Sequence, residues 1–303
     1  MNLGKVPGRP APLALRGARV RLPPSESSAA VLSSPVGDKG QPHLPSTMTC
    51  MYEESIRDEF THQADSFARS LVPSMAETLG AVVEMVPADP EARWLETACG
   101  PAIVGRAIAA RVGSVHGVDL TPAMVEKAAA EATAMGVDNI QFSLGDATAL
   151  SFDDASFDGA VTRFSLHHIP APQRVLEEMA RVVRPGGWVL VADHLTDADG
   201  DAAAWHEEIE RLRDPSHWAC LTRERLLALG EGAGLSLDEE QVIPLDLDFG
   251  EWLGRGSGGP TAAALIERRL TEVPASAESF RVSGEGDERR LALRNSVTRW
   301  RRI

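Results

Sequence analysis

The chain has 303 residues, 43% hydrophobic and 24% charged, the proportions of an ordinary globular protein of one large or two small domains. No apolar run approaches the roughly 18–20 residues that cross a bilayer. The net charge is −14; residues 1–50 hold six Lys/Arg against two Asp/Glu and carry +4, leaving −18 on the remainder, which argues against nucleic acid or an anionic membrane as partner.

Residues 1–50 are rich in Pro, Ser, Gly and Arg and hold no aromatic residue. Such a segment buries too little apolar surface to offset its ordering entropy, so it reads as a disordered extension. It faintly resembles a transit peptide, and Met48 or Met51 suits an internal start. Residues 52–70 read as a helix, with Ile56, Phe60, Ala64 and Phe67 on one face, and 72–86 as a second. Together these suggest an N-terminal pair of lid helices over 51–90.

From 92 to 195 the chain alternates. Apolar runs at 92–98, 114–119, 139–143, 157–163 and 187–193 are separated by helical patterns at 102–112, 121–135 and 171–183. Strand–helix alternation of this length implies a mostly parallel α/β sheet with right-handed crossovers. Beyond 195 the rhythm changes. Helices are expected at 199–214, 222–233, 248–255 and 260–272, a strand at 235–246, and a hairpin or two edge strands over 279–301.

Four stretches carry the chemistry. In Leu95-Glu96-Thr97-Ala98-Cys99-Gly100-Pro101-Ala102, a strand runs into a turn of small residues and a helix start. Small side chains let the backbone approach a ligand, and helix amides face it, although such turns also serve packing alone. In Gly117-Val118-Asp119-Leu120, an acid at a strand end can accept hydrogen bonds from two ribose hydroxyls. Gly145-Asp146-Ala147 offers an acceptor for an exocyclic amine, with Leu120, Ala147 and Leu150 as apolar neighbours for a flat base. Arg163-Phe164 with Leu166-His167-His168 follows the fourth strand. A dinucleotide is disfavoured, because the Glu96 carboxylate would repel a pyrophosphate and only Gly100 and Gly105 are glycines near the turn.

In this order and spacing, and with Arg181-Val182-Val183-Arg184-Pro185-Gly186-Gly187 before the fifth strand, the chain resembles the class I S-adenosylmethionine (SAM)-dependent methyltransferases. Within them it looks like the branch that includes the ubiquinone/menaquinone C-methyltransferases. The resemblance covers 92–195. Asp214-Pro215-Ser216-His217 with Leu221-Thr222 looks like a segment found in a subset of the family. It implies a Rossmann-like, seven-stranded, mostly parallel sheet with flanking helices, an antiparallel last strand and a helical lid. The methyltransferase domain would span 91–303, with 196–275 contributing lid and substrate pocket.

The resemblance also implies roles. SAM would be held by Glu96, Ala98, Cys99, Gly100, Asp119, Leu120, Met124, Asp146, Ala147 and Arg163, leaving S-adenosylhomocysteine as product. Ala98 and Ala102 replace the family's glycines, and Glu96 its commoner Asp. Phe60, Phe67, Phe164, His217 and Trp218 would contact the acceptor, and Trp205, Phe249 and Trp252 could wall an apolar pocket or fill core. An acceptor that must lose a proton needs a general base, and His167, His168 and His217 are the candidates, with His194 a further one. Cys50, Cys99 and Cys220 stand far apart, so no disulfide framework and no metal is expected and a reducing cytoplasm fits. The leading function is methylation of an oxygen or carbon of a small, apolar or aromatic metabolite. A catalytically silent SAM-binding regulator and a methyltransferase acting on a protein side chain are the alternatives. A homodimer is compatible with the sequence.

Overall fold

Residues 56–61 and 73–303 are described in the computed structural model of the chain. Helical residues 56–61 form α1, and α2 spans Pro73–Met85. Phe67 and the rest of the 52–70 helix expected from the sequence lie outside the described residues, as does the 1–50 extension. The alternation follows: β1 Asp89–Thr97, α3 Ile103–Ile108, β2 Val112–Asp119, α4 Pro122–Ala134, β3 Ile140–Leu144, β4 Phe157–Arg163, α5 Pro172–Val182 and β5 Val183–His194. Next come α6 Gly200–Arg213, α7 Arg223–Gly232, β6 Leu235–Asp248, α8 Phe249–Arg255, α9 Gly259–Arg269, β7 Phe280–Ser283 and β8 Arg290–Arg302.

The strands lie in the order β3-β2-β1-β4-β5-β8-β6. The first five pair in parallel, and β8 runs antiparallel between β5 and β6. Short β7 pairs with the start of β8 alongside, giving eight strands where seven were expected. The 279–301 stretch is thus a hairpin, and its second strand is interior, not an edge, because Leu291, Leu293, Val297 and Trp300 are buried. Strand order reverses between β1 and β4, and in open α/β sheets that reversal opens a ligand crevice beyond the carboxyl ends of the strands.

Alternate side chains of each strand feed opposite faces. Trp94, Val161, Leu190 and Val297 join one core with Val82 of α2, Ile108 of α3 and Ala128 of α4. Leu95, Ala160, Val191 and Trp300 join the other, with Val175 and Met179 of α5 and Leu226 and Leu229 of α7. This corrects the lid boundaries read from the sequence. Helices α2 and α7 carry apolar faces that the sheet buries, so neither is lid. A third core holds Trp205 of α6, Phe249 and Trp252 of α8, Ile266 of α9 and Phe280 of β7. These aromatics fill core, and do not wall a pocket as the sequence allowed.

Helix α3 sits close on β1 because Gly105 has no side chain. A Cβ there would stand 2.6 Å from Glu96 Oε2 and 2.9 Å from Ile140 Cδ1, whereas one on Gly80 of α2 would meet nothing within 4 Å. Gly105→Ala should therefore destabilise the protein by about 1–3 kcal/mol through overpacking. Gly80→Ala should stabilise it by about 0.5–1 kcal/mol through helix propensity. Urea unfolding of the two variants measures both signs.

Candidate active site

Three strand-end carboxylates face the crevice edge, and each accepts backbone amides of a following or neighbouring segment. At the end of β1, Glu96 is buried and accepts the Gly105 amide at 2.8 Å. At the end of β2, Asp119 accepts the Gly100 amide at 2.7 Å and the Thr121 amide at 2.9 Å. At the end of β5, Asp193 accepts the Leu166 amide at 2.7 Å and the His194 amide at 2.8 Å. Burial pushes the Glu96 carboxyl up to about 8 against the lowering pull of its amide bond and of Arg163, and raises Asp119 as well.

Between β1 and α3 the backbone turns through left-handed conformations at Ala98 (φ 48°), Gly100 (φ 51°) and Ala102 (φ 55°). Glycine adopts these freely; an alanine there costs on the order of 1–2 kcal/mol. A Cβ on Gly100 would meet nothing within 4 Å, so space lies open over the turn. Cys99 is buried under it, its amide bonded to the Val118 carbonyl. Leu120 is half-exposed beyond β2, Met124 is buried in the first turn of α4, and Asp146 caps its own turn by accepting the Thr148 amide at 2.8 Å, beside buried Ala147.

Across the reversal, Arg163 ends β4. Its charge interacts with both Glu96 and Asp193, burial draws its guanidinium down to about 10, and its Nη1 is buried with no hydrogen-bond partner among the described residues. Thr97 Oγ1, at the end of β1, is buried and unpartnered in the same way. Buried polar atoms are normally satisfied, so a set of them along a crevice is what a polar ligand would complete. Phe164 follows at φ 53°, an unusual conformation for a bulky residue, with Arg163 stacked on its ring.

The histidines meet beyond this point. Leu166–His168 form a single 3-10 turn. His167 Nδ1 donates to Asp193 Oδ1 at 2.5 Å. Burial alone would lower His167; the Asp193 carboxylate and the acids Glu210 and Asp214 override it and raise the imidazole above its ordinary value. His168 Nδ1 donates to the Ser216 carbonyl at 3.2 Å, and burial together with the His167 charge pushes His168 down to about 3. His217 Nε2 donates to Glu207 Oε2 at 2.8 Å. The His167 ring lies 4.2 Å from that of His168, 4.9 Å from His194 and 5.6 Å from His217. Phe60 meets His168 edge-on at 4.8 Å, and Phe164 stacks on His194 at 4.8 Å. The Trp218 and Ala219 amides donate to the His167 carbonyl, laying the 214–221 loop on the turn.

Among the expected residues, Glu96, Asp119 and Arg163 stand at strand ends, and Phe60, Phe164, His167, His168, His194 and His217 are joined by ring contacts. Sequence reasoning missed Asp193, Glu207 and Cys220. A charged residue closing an apolar strand was the available signal for Asp193, and His-x-x-Cys for His217 with Cys220.

Residues 95–191 match the family described as "Methyltransferase domain". An uncharacterized methyltransferase of Bacillus subtilis, YcgJ, is 30% identical over 197 residues, 65% of this chain and 78% of the relative. Its crystal structure superposes with a TM-score of 0.71, covering 75% of this chain and 99% of the other. This chain belongs to the class I SAM-dependent methyltransferases. The uncharacterized protein YafE of Escherichia coli is 32% identical over 171 residues, 56% of this chain and 81% of the relative. A demethylmenaquinone methyltransferase of Bacillus cytotoxicus is 35% identical over 104 residues, 33% of this chain and 44% of that one. This methyltransferase thus has the mostly parallel sheet and the SAM cofactor that the resemblance implied, and a demethylmenaquinone methyltransferase stands among the proteins it is similar to.

The Glu96 carboxyl gives stability a definite pH dependence. Its folded value, about 8, lies above the ordinary 4.5. The folded state therefore retains a proton that the unfolded state releases, and stability falls as pH rises from about 4.5 to about 8, by up to about 1.4 kcal/mol per unit. Glu96→Gln should remove this contribution. Denaturant unfolding at pH 5 and pH 8.5, without cofactor, should show the wild type losing more stability than the variant.

Proposed function

We propose that this methyltransferase moves the methyl group of SAM to an oxygen or carbon of a small apolar or aromatic metabolite, with His167 as general base and Asp193 as its positioning residue. The 2.5 Å bond between His167 Nδ1 and Asp193 Oδ1, beside the crevice of a methyltransferase fold, carries this reading. It commits Nδ1, so Nε2 is the nitrogen left to take a proton.

The open space over Gly100 and the orphaned Arg163 Nη1 and Thr97 Oγ1 fit a polar cofactor. In this reading Arg163 and Glu96 take the two charges of the methionine end, and the turn amides around Ala98, Cys99 and Gly100 lie against it. Asp119 has lone pairs beyond those used by Gly100 and Thr121, enough for two ribose hydroxyls. Leu120, Met124, Asp146 and Ala147 surround the adenine. SAM supplies a methyl already activated on a sulfonium. With SAM and an acceptor bound, His167 would take the acceptor's proton at Nε2 while the surrounding rings exclude water.

Aromatic rings gather around His167, with Phe60 on His168 and Phe164 on His194, and this surround supports a flat or apolar acceptor. His217 and Trp218 belong to the loop that closes over it, and Phe67 remains a proposal from the sequence alone. The demethylmenaquinone relative supports a small-molecule acceptor of this kind. Among the described residues no helix is long and apolar enough to cross a membrane. Buried, unpaired Cys99 and Cys220 support a reducing, cytoplasmic setting.

Incubation with methyl-labelled SAM and a metabolite extract should yield a labelled small molecule by mass spectrometry. Tight SAM binding with no label in any product would leave the protein a silent binder. Asp119→Ala should weaken SAM binding by about 1–3 kcal/mol in calorimetry. His167→Gln should lower kcat by roughly 10²–10⁴ with little change in SAM affinity. Because Asp193 raises the His167 value, the acid limb of the kcat profile should lie above the ordinary histidine range, and Asp193→Asn should move it to lower pH.

A further inference from the structure

The cover over the histidines contains a second cluster that methyl transfer does not use. Glu207 of α6, with His217 and Cys220 of the loop beyond it, places a carboxylate oxygen, an imidazole nitrogen and a thiol sulfur within 4.8 Å of one another, all buried. We propose that these three side chains form a mononuclear site for a zinc-class divalent cation, with a fourth position open to water or to a donor atom of the bound acceptor.

The donor set selects the metal. Thiolate and imidazole suit zinc, while magnesium and calcium want oxygen ligands throughout. A tetrahedral zinc ion holds its ligand atoms roughly 3.3–3.8 Å apart, so the three atoms need to close by little more than an ångström. Backbone and side-chain bonds already hold the loop to α6, and Arg211 Nη2 lies 3.3 Å from Glu207 Oε2, an ion pair that a cation would replace. The Cys220 amide already donates to Glu207 Oε1 at 2.7 Å, Arg211 holds the Trp218 carbonyl at 2.7 Å, and the His167 carbonyl takes the Trp218 amide.

Two features of the cluster bear on a cation. His217 Nε2 stands 2.8 Å from Glu207 Oε2 across a shared proton, and that pair is where a cation would sit. The surroundings are also electron-rich. Burial, and after it the charges of Glu207, Glu210 and Asp193 against that of Arg211, holds the free Cys220 thiol protonated. A dication would displace that proton and the one between His217 and Glu207, turning repulsion into coordination.

Cobalt(II) is the probe, because thiolate ligation gives it a sulfur-to-metal charge-transfer band. Reduced, chelator-stripped full-length protein titrated with Co²⁺ should bind one equivalent, show that band, and lose it to one equivalent of Zn²⁺. Cys220→Ser, checked for folding by circular dichroism, should lose the band and weaken binding on the order of 100-fold. The double variant Cys50→Ser/Cys99→Ser should keep both. Glu207→Gln supplies a second test that leaves the thiol in place; it should keep the band and lower the affinity. No saturable binding at 100 µM metal by wild-type protein (roughly the weak end for a built site), or a thiolate band that survives Cys220→Ser, overturns the proposal.

Discussion

A carboxylate at the end of a strand, taking hydrogen bonds from the backbone of a following or neighbouring loop, recurs at Glu96, Asp119 and Asp193. Each is nearly free of solvent, at 3%, 8% and 4% exposure. A buried acceptor left unmade would cost about 1–3 kcal/mol or more, so each loop is held in the one conformation that offers its amides. The glycine-like turn, the start of α3 and the 3-10 turn bearing His167 and His168 are all fixed this way. The same oxygens retain lone pairs toward the crevice. A single class of interaction therefore builds the loops and leaves them chemically poised.

The electrostatics follow from where water is excluded. Glu96 is driven toward its neutral form by burial, beside an arginine whose own charge is weakened by the same burial. A zwitterion arriving between them restores charge to both, so binding is coupled to a proton. Among the imidazoles one site is favoured. Asp193 raises His167, while His168 and His194 are held near 3, first by burial and then by the positive charge of His167. The cluster therefore concentrates its basicity on the ring that touches the strand-end acid, and the other rings remain neutral, flat surfaces.

Much of the fold was legible because burial on both faces writes near-continuous apolar runs into parallel strands, as in Trp188 to Ala192. The stripe Val175, Leu176, Met179, Val182 likewise marked α5. What failed was assignment of faces beyond 195. Trp205, Phe249 and Trp252 look alike as pocket wall or as core until Phe280, from a strand far along the chain, is seen to pack among them. In the site, Glu96 and Asp119 were readable from spacing within one strand–turn–helix unit. The partnership of His167 with Asp193 was not, since the two stand 26 positions apart with a whole helix between them. Ala98 and Ala102 read as replacements for glycine that add only a small group; their positive φ angles show that the backbone, not the side-chain volume, bears the cost.

The interior position of β8 governs the order in which the protein can be completed. Strands β5 and β6 share no direct pairing; both wait for Arg290–Arg302, which fills the gap between them. As the chain leaves the ribosome, β1 to β5 can assemble with their helices while the open side of β5 still presents unpaired amides and carbonyls. Such an edge invites pairing with another nascent chain. The cover that carries His217 hangs from the same late strand, since the Leu195 amide is bonded to Arg294 and Leu195 bridges Leu221. A nascent chain therefore acquires a cofactor crevice before it acquires a closed active site, and its methyl-transfer competence is among the last properties that translation confers.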